Sequence, residues 1–351
     1  MNGNRIWNRL GVLLWGAWMM TTPMPAWAWD YSVHRVVNQA ALGALPPDFP
    51  AFVTSPAAAE RIAFLSGEPD RWRNTPDLAL KHCNGPDHYI DVEDLALYGL
   101  DLAGLPPLRY DFVAKLAEVR AAHPDRFAGL YEERNEDHTR QLIGLLPWTI
   151  CESYSRLKSG FSYLNALKEG GGTPEEIANA QANIVYVMGV MGHYVGDAVQ
   201  PLHTTKHYNG WVGDNPNGYT TSRGFHQWID GGFLEKTGLP TSTDLRPRLH
   251  VAAGVTVQGR AVPPERLFAF VCAFIQEQHS KMEPLYALEK RGGFTAEKPE
   301  ARQGREMLEQ QLAAGAQLLA NLWVSAWKQA PPDTYLLRQL KQRAEKPVSN
   351  P

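Results

Sequence analysis

The chain has 351 residues, 44% of them hydrophobic, and a formal net charge of -3. That length and apolar content suffice for a large buried core, in one domain or two. The charge balance excludes a global basic field of the kind that draws in duplex nucleic acid, and three cysteines are too few for disulfides to hold the fold.

The first segment reads as a secretory signal. Arg5 and Arg9 form a short positive region, Leu10–Met20 is apolar but short for a membrane span, and Ala26-Trp27-Ala28 supplies an A-x-A cleavage site. Cleavage there removes residues 1–28, makes Trp29 the first mature residue, and implies export to a periplasmic or extracellular location. In such a compartment one pair among Cys83, Cys151 and Cys272 can oxidise; the sequence does not say which.

Helical patterns follow. Val33, Val36, Val37, Ala40 and Ala41 are spaced for a helix over Tyr31–Ala44, stopped by Pro46-Pro47. A short helix is expected over Ala57–Ser66, and loop over Glu68–Pro107, where Pro, Gly, Asn and Asp recur. Tyr110–Ala122 and Arg134–Leu146 read as amphipathic helices, and Pro147 separates the second from another at Trp148–Leu167. Thr173-Pro174-Glu175-Glu176 combines an N-cap, Pro at the first position and acids behind it, so a helix starts there and runs to about Val199. A loop over Tyr208–Arg223 precedes a helix at Phe225–Leu234, an irregular stretch with a short strand within Val251–Val257, and long helices at Pro264–Glu289 and Ala301–Gln329. Nothing repeats. The expectation is a single all-α, multi-helix domain over 29–330 with a loose polar tail over 331–351.

The chemistry concentrates in Tyr186–Asp230. His193 and Asp197 sit four apart, His226 and Asp230 repeat that spacing, and His203 lies between the pairs after Pro201, which is placed to end the first helix. Residues four apart share a helix face, so each pair offers two ligands to one ion. A lone pair of this kind also occurs on plain helix surfaces. Two pairs and an intervening imidazole form a nitrogen and oxygen ligand set suited to zinc. Upstream stand Trp29 with His34, the loop motif Asp70-Arg71-Trp72-Arg73, and His88-Tyr89-Ile90-Asp91.

Taken together, these motifs resemble the superfamily of zinc-dependent phospholipases C and single-strand-specific zinc nucleases, over the ordered span Trp29 to Asp230. The resemblance implies an all-α domain with a three-zinc cluster. Asp70, His88, His193 and Asp197 would hold one zinc. Trp29, through its amino nitrogen and carbonyl, would hold a second with His34 and the shared Asp197, and His203, His226 and Asp230 the third. It further implies phosphodiester hydrolysis by an activated water that Asp70 orients or deprotonates, with Arg73 stabilising charge on the phosphoryl oxygens.

Substrate class divides the family. The short Trp29–His34 spacing, Asp230 rather than Glu as last ligand, and the long gap from His203 to His226 resemble the nucleases. By the same likeness Tyr89 would stack on a base and Asp91 accept from its amino group, with single-stranded nucleic acid or nucleotides as substrate and no stable protein partner implied. A Gly-Gly-Asn segment expected after His203 is absent, however, and Gly224-Phe225-His226 resembles the phospholipase wording, so a phospholipid substrate is the alternative. A zinc-binding protein without turnover is the further alternative, against which the intact Asp70-x-x-Arg73 motif speaks. The segment between His88 and His193 is longer than in either branch.

Overall fold

In the computed structural model, which describes residues 30–131 and 135–345, the best-specified helix is the central one. It spans Pro174–Val199, labelled α7 in chain order. The Thr173 hydroxyl accepts from the Glu176 amide at 3.2 Å, and the Glu176 carboxylate accepts from the Thr173 amide at 2.8 Å, a capping box that satisfies two amides otherwise left without partners. From Met188 to Val199 every residue is buried. The reason is position: α7 is enclosed by α1 (Tyr31–Gly43), α2 (Pro56–Leu65), α6 (Leu146–Gly170) and α13 (Ala301–Lys328).

Glycines on α7 set how closely its neighbours approach. A Cβ on Gly189 would lie 2.5 Å from Leu65 Cβ, and one on Gly196 would lie 2.7 Å from His34 Nδ1. Asn38 of α1 closes the same seam, donating from Nδ2 to the carbonyls of Ile62 at 2.8 Å and Gly189 at 3.0 Å. His34 therefore reaches the interior because α7 offers no side chain at position 196.

The remaining helices are α3 (Glu68–Arg73), α4 (Leu78–Asn84), α5 (Arg109–Ala122), α8 (Phe225–Gln227), α9 (Phe233–Thr237), α10 (Ser242–Leu245), α11 (Leu267–His279), α12 (Met282–Lys290) and α14 (Thr334–Glu345). The strand expected within Val251–Val257 shrinks to a two-stranded hairpin pairing Thr256–Val257 with Arg260–Ala261. The fold is all-α, and no helix among the described residues is long and apolar enough to cross a membrane.

Several elements differ from their sequence patterns. Glu68–Pro107, expected as loop, contains α3, α4 and short 3₁₀ turns, because Pro69 sits in the first turn of α3, where its missing N–H costs nothing. Pro147 likewise lies inside the first turn of α6 instead of preceding it. No helix forms over 135–145. There the backbone pairs with 86–91 instead, through Asp91 N to Ile143 O at 2.8 Å and Leu145 N to Pro86 O at 2.6 Å. Gly144, at φ 99°, permits this approach, since a Cβ would meet the Tyr89 carbonyl.

The expected helix at Pro264–Glu289 divides into α11 and α12 at Ser280-Lys281, four residues before Pro284, whose ring conflicts with a helical carbonyl there. Phe225–Leu234 is interrupted by a π-turn at Trp228–Gly232. The stretch expected as a loose tail carries α14, which buries Leu340 against α6 and pairs Arg343 with Glu176 at 2.7 Å. The signal segment and Trp29 lie outside the described residues.

Candidate metal centre

The predicted ligands among the described residues come from helices, 3₁₀ turns and a π-turn. α1 carries His34, and α7 carries His193 and Asp197 on one face near its C-terminus. Asp70 and Arg73 are i and i+3 on α3, so Arg73 Nε lies 2.9 Å from Asp70 Oδ1. His88 ends the 3₁₀ turn Gly85–His88, and His203 sits in a second one, Pro201–Thr204, that begins where Pro201 stops α7. His226 is on α8, and Asp230 is in the π-turn, whose own carbonyl accepts from Asp30 N at 3.0 Å.

These side chains converge on one buried centre. Three groups have ligand atoms within 4.8 Å of one another: His34, Asp70 and His193; His88, His193 and Asp197; and His203, His226 and Asp230. Asp197 joins them. Its Oδ2 lies 3.0 Å from His88 Nδ1 and 3.3 Å from His193 Nε2, and its Oδ1 lies 3.5 Å from His34 Nε2 and 3.6 Å from His203 Nδ1. Of the residues expected beside it, Asp70 groups with His193 but not with His88 or Asp197, and it groups instead with His34, expected at the neighbouring site; His88 Nδ1 lies 3.9 Å from Asp70 Oδ1. The third group has the expected membership, with His226 Nε2 2.9 Å from Asp230 Oδ2.

The donor set fits metal ions. Both ring nitrogens of His34, and His88 Nε2, His203 Nε2, His226 Nε2, Asp197 Oδ1 and Asp230 Oδ2, are buried without a hydrogen-bond partner. Burying that many polar atoms unpaired is costly unless a cation completes them. The outer bonds fix which nitrogen faces inward. His193 Nδ1 donates to the Ser66 carbonyl at the end of α2 at 2.7 Å, which leaves Nε2 as an acceptor, and His203 Nδ1 donates to the His88 carbonyl at 2.7 Å. His193 Nε2 then stands 2.9 Å from His88 Nδ1, two imidazole nitrogens that need a proton or a cation between them.

Electrostatics lead to the same conclusion. Burial, then the neighbouring His193, holds His34 well below the ordinary imidazole range, and burial followed by Arg73 lowers His88 and His226 to about 3. Burial alone would raise Asp70 and Asp197. Arg73 with His193 outweighs it at the first, and His193 with His203 at the second, so both carboxyls are held as anions. His193 moves the other way: burial opposes its charge, but Asp197 and Asp70 overcome that and raise it. Burial raises Asp230 well above the carboxylate range.

A cavity of about 540 Å³ reaches this centre through Arg73, His203 and His226. Tyr89, Tyr98, Phe127 and Tyr208 line it, and so do Asp91 and Arg140. Both residues singled out for base recognition are therefore beside the centre. The Tyr89 hydroxyl donates to the Leu142 carbonyl at 3.3 Å, which holds the ring in the wall. Burial, reinforced by Asp94 and Glu93, raises Asp91 well above its usual range.

Three supports escape sequence reasoning. Gln200 donates to Asp230 Oδ1 at 2.6 Å, the Ser66 carbonyl orients His193, and Arg109 of α5 pairs with Asp87 at 2.8 Å and Glu152 at 2.8 Å, bracing the turn that presents His88. None sits at a patterned spacing from its partner. Only the Gln200-Pro201-Leu202-His203 run draws attention, and there the proline and histidine carry the signal.

The sequence matches no model of a known protein family, and no curated protein matches it at a significant level.

Proposed function

We propose that the protein is an exported, zinc-dependent phosphodiesterase that holds three zinc ions and hydrolyses P–O ester bonds in single-stranded nucleic acid or nucleotides. The observation that carries this reading is the position of Arg73. Its guanidinium pairs with Asp70 at the ligand cluster and also lines the cavity, so a charge-stabilising donor stands where ligands and substrate space meet. One ion would be held by Asp70, His88, His193 and Asp197. A second would take His34, the shared Asp197 and the mature N-terminal Trp29, and a third His203, His226 and Asp230.

Zinc bound there supplies Lewis acidity toward phosphoryl oxygens and makes water a nucleophile near neutral pH. The chain's own residues do the rest. Arg73 donates to the phosphoryl oxygens as negative charge grows on them. Asp70, kept anionic beside Arg73, orients the attacking water and accepts its proton. The aromatic wall, led by Tyr89, stacks on a base, and Asp91 bonds to the base edge.

A phospholipid substrate is the second reading. The apolar wall residues Leu97, Leu142 and Ile143 favour it, together with the Gly224-Phe225-His226 wording. Hydrolysis of bis-p-nitrophenyl phosphate, with and without chelator and then with zinc restored, tests the activity. Single-stranded DNA, RNA and 3′-nucleotides compared with phosphatidylcholine separate the branches. Chelator-sensitive turnover restored by zinc is expected; undiminished turnover after chelation contradicts the reading.

A further inference from the structure

Gln200 lies between two ligand residues in sequence and touches a third in space. It is fully buried, and each of its four hydrogen-bonding groups is used. Its amide donates to the Asp197 carbonyl at 3.0 Å, and its own carbonyl accepts from the His203 amide at 2.9 Å. The side-chain oxygen accepts from Leu202 N at 3.3 Å, which fixes the carboxamide's orientation and turns its nitrogen toward Asp230. That nitrogen donates to Asp230 Oδ1 at 2.6 Å.

The consequence for Asp230 is directional. With Oδ1 taken by Gln200, Oδ2 is left without a hydrogen-bond partner and lies 2.9 Å from His226 Nε2. His203 Nε2 is also unpartnered, and His203 Nδ1 is tied to the His88 carbonyl. Asp230 Oδ2 and His226 Nε2 thus face each other in one group with His203, and the other polar atoms of Asp230 and His203 are held by Gln200 and the His88 carbonyl. The same Gln200 main chain joins Asp197 to His203, so it links the His203, His226 and Asp230 group to the cluster around Asp197.

We propose that Gln200 is the positioning residue of the His203, His226 and Asp230 site. It holds Asp230 to a single inward oxygen and couples that site to the Asp197 cluster. The proposal rests on the metal reading given above. A ligand carboxylate free to rotate, with its outer oxygen unsatisfied, binds a cation less well. Loss of such an outer bond typically weakens metal affinity by about 10–100-fold.

The test is zinc stoichiometry and affinity, measured by chelator competition on the processed chain that begins at Trp29 and its Gln200→Leu variant, with melting of the metal-free proteins alongside. Gln200→Leu keeps similar bulk and removes both polar groups. Site-selective loss is expected: one zinc weakened about 10–100-fold and the others retained. Gln200→Glu keeps the acceptor for Leu202 N but places a second carboxyl against Asp230. It is expected to lose the same ion and serves as the readout should the leucine variant fail to fold. Wild-type affinity for every zinc in a variant overturns the assignment, and so does uniform weakening of all ions in step with a lowered metal-free melting temperature. A wild-type chain that binds no zinc overturns the metal reading itself, an outcome distinct from a failure of Gln200 alone.

Discussion

Beneath the cavity, ligands project from long or well-anchored elements: His34 from α1, His193 and Asp197 from α7, with the buried glycine seam of α7 holding the two helices together. Across the cavity, Tyr89, Tyr98 and Phe127 are carried on 3₁₀ turns and their flanks. That wall is held by the backbone pairing of 86–91 with 143–146 and by the Arg109 ion pairs. The lower side is buried, charged and fixed by packing; the upper side is aromatic, partly open and tied at its neck. Under the proposed function, reaction chemistry belongs to the floor and substrate choice to the wall. Floor substitutions should then remove turnover outright, whereas wall substitutions should change which substrate is preferred.

The largest effect is expected from Asp197→Asn. Asp197 lies within 3.6 Å of four imidazoles, so loss of its charge removes the shared anion of the cluster. Zinc content should drop by more than one ion and phosphodiester hydrolysis should disappear. Retained metal with merely slower turnover would break the division by showing that Asp197 is not a shared ligand. Arg73→Ala is expected to come next. Turnover should fall by about 10²–10³, the usual cost of a lost charge-stabilising donor, while zinc content stays near normal. Zinc loss equal to that of Asp197→Asn would make Arg73 a structural partner of Asp70 only.

Tyr89→Leu should have the smallest effect and a different character. Removing a stacking surface costs about 1–3 kcal/mol of base binding, so KM for single-stranded substrates should rise by about 5- to 150-fold while kcat for bis-p-nitrophenyl phosphate is unchanged. A parallel drop in kcat on both substrates would place Tyr89 with the floor.

The same contrast explains what the sequence revealed. His193/Asp197 and His226/Asp230 were readable because a helix places i and i+4 together, and the α7 start was readable because capping chemistry is local. Asp70 and His88 carry no such spacing, and only the resemblance drew them to the ligand set. Of the wall, the resemblance named Tyr89 and Asp91, and the rest was not legible. Residues 135–145 have an amphipathic pattern, yet their backbone bonds go to 86–91, a partner that no local pattern names. Gln200 and Arg109 were missed because their partners lie 30 and 22 residues away, at distances set by the folded chain. The order of the tail is not legible in the sequence because the burial of Leu340 depends on its close approach to Gly170 at the end of α6.

The central claim is that this buried His and Asp cluster is a metal centre. Metal content per chain, determined by elemental analysis of the purified, processed protein, tests it most directly. Three zinc ions per chain, removable by a strong chelator and restored by added zinc, is the predicted result. A folded, processed chain that carries no zinc, and takes up none when it is supplied, would contradict the account.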